Sequence, residues 1–261
     1  MAKLNKETML ETGVILKRLY ELLESSAKNL RIADLRVGLS YVGIMLDNGA
    51  TGLAAVLPES AVRGCTVLKE AGTYIGSPVI ESLKYLVDGK NALHRAIGMA
   101  AANALVLPEK EDVEDREATT YLNLQSGEKV AMVGLFAPLV ERIRSTGATL
   151  TIVEKNPQRL ELLSEEDKLT ALKDCNVAII TATTLLNNTF EETINLLGAP
   201  RSVLLLGPST PLVPEIFRDT PVTQLGGVVV ADSARVLQII SEGGGTPALR
   251  PYLRFVNLIM K

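Results

Sequence analysis

The chain has 261 residues, 47% of them apolar, with a formal net charge of −3, so it can bury one large core or two smaller ones. With acids in slight excess and no Lys/Arg run beside aromatic residues, it lacks the electrostatic footprint of a nucleic-acid or membrane-surface binder. MAKLNKETML has no apolar signal core and no apolar run reaches the roughly 18 residues of a membrane span, so a cytoplasmic protein is expected.

In chain order, residues 6–28 place Leu10, Leu16, Leu19, Leu23 and Ala27 near helical spacing, predicting an amphipathic first helix. The runs 36–46 and 51–57 read as a β-hairpin joined through Asp47-Asn48-Gly49-Ala50, because Asn-Gly supplies the positive φ of tight turns. Ser77-Pro78 opens a predicted helix to about residue 87, with Pro at its first position. A second helix, rich in Ala, is expected over 91–105 and carries His94, Gly98 and Asn103. The acidic stretch 109–117, EKEDVEDRE, reads as a solvated connection, which predicts one domain over 1–112 and another over 113–261.

Beyond it, the apolar runs 129–136, 149–154, 176–182 and 202–210 alternate with predicted helices such as 138–146 and 190–197. Uninterrupted Val/Ile/Leu runs are what strands buried on both faces of a parallel sheet require, so the expected fold is α/β, Rossmann-like and doubly wound. Ligands of such sheets bind at the carboxyl ends of the strands, which directs attention to the loops there.

The first of these loops, GLFAPL at 134–139, lacks the second and third glycines of GxGxxG, which disfavours an ordinary NAD site. Gly134 still permits close approach, and Phe136 offers a ring wall or a core contact. Glu154 ends the second run twenty residues on, with Asn156 beside it. A carboxylate in that place can accept from ribose-like hydroxyls, or can be a solvated strand-end charge. The third run leads to Thr181, Thr183 and then Asn187-Asn188, whose amides could meet a ligand, while Thr189 and Glu192 fit a capping box. Gly207-Pro208-Ser209-Thr210-Pro211 follows the fourth: two prolines fix its shape and two hydroxyls project from it, as in a preset anion or oxyanion site or as in a turn that starts a helix. Asn103 faces either the crevice between domains or the core.

His94, the single histidine, is expected to be structural, with a proton carrier as the alternative. Cys65 and Cys175 lie outside any CxxC, so no disulfide scaffold or side-chain metal site is predicted. The triplet 243–245 reads as a turn, and no cofactor is named by these motifs.

GLFAPLVERIRSTGATLTIVEKNP, AIITATTLLNNTFEETINL, VLLLGPSTPLVPEIF and GGVVVAD resemble the two-domain prokaryotic family described as "putative heavy-metal chelation". The resemblance runs through nearly all of 120–245 and extends to the hairpin and NALHRAIGMAAANAL before it. It implies a smaller α+β domain like the enolase N-terminal domain, then the Rossmann-like domain, with a site between them. It also implies condensation or hydrolysis in the making of pterins, flavins, siderophores or other metal-binding compounds. One His and two distant Cys leave carboxylates, amides and hydroxyls, a poor set for soft metals. The expected partner is a small metabolite, nucleoside-like or a metal chelator or its precursor; a homo-oligomer stays open. Two further readings remain beside the enzyme: a non-catalytic binder of a metabolite or metal chelate, and an S-adenosylmethionine-dependent methyltransferase-like protein.

Overall fold

A computed structural model describes residues 9–58, 66–106 and 118–260. Cys65 and the acidic stretch 109–117 lie outside the described residues. Helix α1, Val14–Ala27, buries Ile15, Leu16, Leu19, Leu23 and Ala27 along one stripe, the helical period read from the sequence. Its first turn has no side-chain cap from Gly13; instead the Ile15 N–H donates to the Glu191 carboxylate at 3.2 Å.

Strands β1 (Ile32–Val37), β2 (Tyr41–Leu46) and β3 (Thr51–Ala55) form an antiparallel meander. The expected single run 36–46 is therefore two strands, because Gly38-Leu39-Ser40 turns the chain and the Gly38 N–H donates to Tyr41 O at 2.8 Å. In the β2–β3 turn only Gly49 has a positive φ, +85°. Asn48 instead uses its side chain, accepting from the Ala50 N–H at 3.0 Å, the local bond that makes Asn a turn residue.

The helix expected from Pro78 is two short ones, α2 (Val79–Leu83) and α3 (Tyr85–Asp88), and Pro78 is the residue before the helix rather than its first. Helix α4, Ala92–Leu105, is capped by Asn91, whose side chain accepts from the His94 N–H. Small residues explain its close packing. A Cβ on Gly52 of β3 would come within 2.2 Å of Ala104 N, and one on Gly98 within 2.9 Å of Leu86 N.

The second sheet holds β4 (Lys129–Val133), β5 (Thr149–Val153), β6 (Val177–Thr181), β7 (Ser202–Leu206), β8 (Gln224–Val230) and β9 (Leu253–Ile259), in the order β5-β4-β6-β7-β8-β9. All neighbours are parallel except β8 and β9. Helices α5 (Ala137–Ser145), α6 (Glu165–Asp174), α7 (Thr183–Leu186), α8 (Phe190–Asn195), α9 (Ser233–Ser241) and α10 (Thr246–Leu249) complete it. Val130, Met132, Val177, Ile179 and Leu204 join one buried cluster, while Ala131, Val133, Ala178, Ile180 and Leu205 join another. Burial on both faces of the sheet is what the uninterrupted apolar runs encode, and the fold is the α/β class expected from them.

The two sheets share their core. Val42, Ile44 and Leu46 of β2 pack in the large cluster with α1 and α4. Tyr41 and, from β3, Leu53 point the other way and meet Val236 and Ile240 of α9. Gly43 permits this approach, since a Cβ there would lie 2.8 Å from Ile240 Cδ1. The meander is thus sandwiched between α4 and α9, helices more than 120 residues apart in the chain. Among the described residues no helix is long and apolar enough to cross a membrane.

Candidate functional site

Strand β4 lies between β5 and β6, so the connections leaving β4 and β5 run in opposite directions across the sheet and a switch point opens between the ends of β4 and β6. Gly134 and Thr181 meet there. Gly134 has φ +83°, and a Cβ on it would stand 2.7 Å from Thr181 Cγ2, so glycine is needed both for its conformation and for the closeness of the two loops. The hydroxyls of Thr181 and Thr183 lie 3.0 Å apart, and Thr184 Oγ1 donates to Thr181 O at 2.7 Å. Phe136 precedes α5 and is partly buried against the cluster containing Met132 and Ile143.

Glu154 is 8% exposed. Its carboxylate accepts from the backbone N–H groups of Leu135 (3.2 Å), Lys155 (2.8 Å) and Asn156 (3.0 Å) and from Arg159 Nη1 (3.0 Å). Burial pushes its pKa up, but the three backbone donors and the Arg159 charge together hold it below the usual carboxylate range. Four donors match the roughly four lone-pair sites of a carboxylate, so Glu154 ties the loop after β4 to the loop after β5. Asn156 contributes to the same closure, accepting from the Gln158 N–H at 2.9 Å.

Asn187 follows α7 and its Oδ1 accepts from Thr189 Oγ1 at 2.7 Å. The Thr189 side chain makes no cap hydrogen bond to α8, and the expected Thr189–Glu192 capping box does not form. The backbone of Thr189, at φ −112° and ψ 3°, departs from the extended conformation from which an N-cap side chain accepts from the first turn.

The remaining candidates converge. Gly207, at φ +128°, donates its N–H to Gly226 O and accepts from the Thr210 N–H, both at 2.9 Å. The loop it shapes is pressed against the meander. Ser209 Oγ accepts from the Ala55 N–H of β3 at 2.8 Å, and Asn103 Nδ2 on α4 donates to Leu53 O at 3.0 Å and to Pro208 O at 3.4 Å. Asn103, Pro208, Ser209 and Thr210 thus form a seam between the first sheet and the carboxyl end of β7. Ser209 and Thr210 are 1% and 2% exposed. Thr210 Oγ1 has no hydrogen-bond partner among the described residues.

Farther along the seam, Arg95 Nε donates to Leu186 O at 2.5 Å and Nη1 to Gly89 O at 2.9 Å. A half-open cavity of about 260 Å³ borders it, walled by Thr12, Lys17, Leu86, Val87 and Asn188. Arg95, Lys17 and Thr12 were not among the residues expected from sequence. The available signal was Arg95 itself, the one permanent charge on an otherwise apolar, Ala-rich helix.

His94 turns away from these loops. Its ring stacks on Tyr85 with centroids 4.6 Å apart, and Nε2 stands 3.8 Å from Glu70 Oε2. Tyr74 adjoins Tyr85, and burial pushes its hydroxyl above its ordinary pKa. Cys175 is buried, its thiol donating to Leu172 O, and burial raises its pKa too. Among the described residues no three His, Cys, Asp or Glu side chains gather as a metal site. The donor set does not fit a soft heavy-metal ion held by side chains, since such ions favour thiolate and imidazole.

Two family models, each described as "putative heavy-metal chelation", match residues 20–106 and 117–259. An uncharacterized protein of Methanocaldococcus jannaschii is 25% identical over 232 residues, 85% of this chain and 88% of that protein. A protein of unknown function from Pyrococcus horikoshii has the same fold at a TM-score of 0.79 with 21% identity, covering 95% of this chain and 99% of its own. Another, from Desulfitobacterium hafniense, gives 0.76 with 22% identity, covering 94% and 98%. The 117–259 match alone takes in more than half of the chain, and the protein belongs to the family described as putative heavy-metal chelation.

Proposed function

We propose that this protein binds a small polar metabolite in the cytoplasm, at the seam where the first sheet meets the carboxyl ends of β6 and β7. The observation that carries this reading is the buried hydroxyl of Thr210, which has no hydrogen-bond partner among the described residues, next to the buried Ser209 hydroxyl that the Ala55 N–H holds in place. A buried donor without a partner costs about 1–3 kcal/mol, a cost that a ligand acceptor offsets. The position supports the same reading, because open α/β sheets bind ligands at strand carboxyl ends.

The family description brings metals or chelators into view, and the donor chemistry of the chain favours a chelator or its precursor over the bare ion. In that case the small molecule carries the metal-binding groups and the protein supplies hydroxyls, amides and backbone. Condensation or hydrolysis of a pterin-, flavin- or siderophore-type compound is the enzymatic form of the proposal; carriage of such a compound is its non-catalytic form. An adenosine-binding, methyltransferase-like role draws less support, since Glu154 already accepts four hydrogen bonds from its own loops. The test is to identify by mass spectrometry the small molecule released on denaturation and to titrate it against the protein and its Thr210→Val variant. Affinity at least about tenfold weaker in the variant, roughly 1.4 kcal/mol, is expected; equal affinity removes the hydroxyl from the site.

A further inference from the structure

Arg95 is a half-buried cation without a counter-ion among the described residues. It makes two hydrogen bonds, both to backbone carbonyls, Leu186 O and Gly89 O. A guanidinium has five N–H donors, which leaves three unused, and among the described residues no carboxylate lies within ion-pair distance of it. Burial accordingly depresses its pKa with no charge partner acting against the shift. Carbonyls fix the orientation of the group but do not neutralise it, and a desolvated charge without a partner is costly.

The cavity beside it shares this imbalance. Its lining holds two cations, Arg95 and Lys17, and no carboxylate. Lys17 is loosely paired at 3.8 Å with the exposed Glu21. The buried acid of α8, Glu191, is engaged by the Ile15 N–H. Asn188, held at φ +58°, makes no side-chain hydrogen bond among the described residues, and Leu86 and Val87 supply an apolar wall. At about 260 Å³ the space lies just below the range of about 300–1,000 Å³ typical of drug-sized ligands, which points to a smaller molecule.

We propose that this cavity is an anion pocket for a small organic phosphate or carboxylate, whose charged head pairs with Arg95 and Lys17 while Leu86 and Val87 meet its carbon skeleton. The inference rests on the seam being a ligand region and names the class of ligand, but it uses none of the Ser209 or Thr210 contacts. Planar guanidinium donors match both anions in bidentate geometry.

The experiment is an NMR titration of the full chain with glycerol 3-phosphate, with succinate and with uncharged glycerol, following the backbone amides of Lys17, Gly89 and Asn188 and the Arg95 Nε–H. Saturable shifts at these groups with at least one anion, and none with glycerol, are expected; which anion binds separates phosphate from carboxylate recognition. Arg95→Gln should weaken binding by at least about tenfold. Because that change also removes two carbonyl contacts, Lys17→Gln on the exposed face of α1 and Arg95→Lys are measured as well, each expected to weaken binding severalfold with folding intact. Absence of saturable shifts with both anions, or affinities unchanged in Lys17→Gln and Arg95→Lys, overturns the proposal. A neutral co-purifying molecule that depends on Thr210 and ignores Arg95 overturns the anion pocket and leaves the seam reading standing. Anion binding here with no effect of Thr210→Val on any ligand does the reverse.

Discussion

The Ala55 N–H donates to the hydroxyl of Ser209 at 2.8 Å, so the last strand of the meander ends on the loop that follows β7. This is a bond between residues 154 positions apart, and it makes the loop a joint between the sheets rather than a free surface turn. Replacing Ser209 with Ala leaves a partly buried backbone N–H without its acceptor. Thermal or denaturant unfolding should show a loss of about 1–3 kcal/mol; a loss within error would mean that another acceptor takes over.

Thr210→Val should behave in the opposite way. The hydroxyl it removes has no partner among the described residues and the side chain keeps its shape, so the ligand-free protein should be as stable as the parent or more stable by about 1 kcal/mol. Equilibrium unfolding checks this, and a destabilised Thr210→Val protein would assign the hydroxyl a structural bond.

Glu154→Gln replaces one acceptor oxygen with an NH2 group facing a ring of donors, Leu135, Lys155, Asn156 and Arg159. Stability should fall by about 1–3 kcal/mol, with faster amide exchange over residues 134–136 and 154–159. Unchanged exchange in both loops would contradict the closing role given to this carboxylate.

The fold was legible where one physical cause acts locally. Continuous apolar runs marked β4, β6 and β7, which are buried on both faces, and also β5, a half-buried edge strand; helical spacing marked α1, and an Ala-rich stretch marked α4. The turn at Gly38 was hidden by apolar residues on both sides of it. Strands β8 and β9 were not separately marked, since β8 carries two glycines, Gly226 and Gly227, and pairs with a strand nearly thirty residues on. Asn103, Pro208, Ser209 and Thr210 were singled out from local chemistry, but that they form a seam follows from contacts across more than 100 residues. The saturation of Glu154 could not be read from its position, because Arg159 and Leu135 reach it from two different loops.

Gly52 tests the packing of α4 on the meander. A Cβ there would meet backbone atoms of α4 at 2.2 and 2.3 Å, and a helix backbone cannot yield as a side-chain tip does. Gly52→Ala should cost about 1–3 kcal/mol or more in unfolding measurements; a neutral result would show that α4 shifts freely against β3.

Glu128 and Arg201 supply a pH dependence. Arg201 Nε and Nη2 bond the two carboxylate oxygens at 2.6 and 2.8 Å, and this guanidinium holds the Glu128 carboxyl down to about 2. Because the folded value is depressed, the contribution is present above the unfolded value of about 4.3 and is lost as pH falls through the folded value. Between those limits the stability difference between the parent and Glu128→Gln should shrink as pH falls; a difference constant with pH would detach the ion pair from stability.

The most direct test of the seam is amide hydrogen exchange with and without the small molecule released from the protein and identified by mass spectrometry. Added protection is expected on both sides together, at residues 53–56 of the first sheet and at 181–189 and 207–211 of the second. Protection confined to one sheet, or a purified protein that neither yields nor takes up any small molecule, would contradict a ligand held between them.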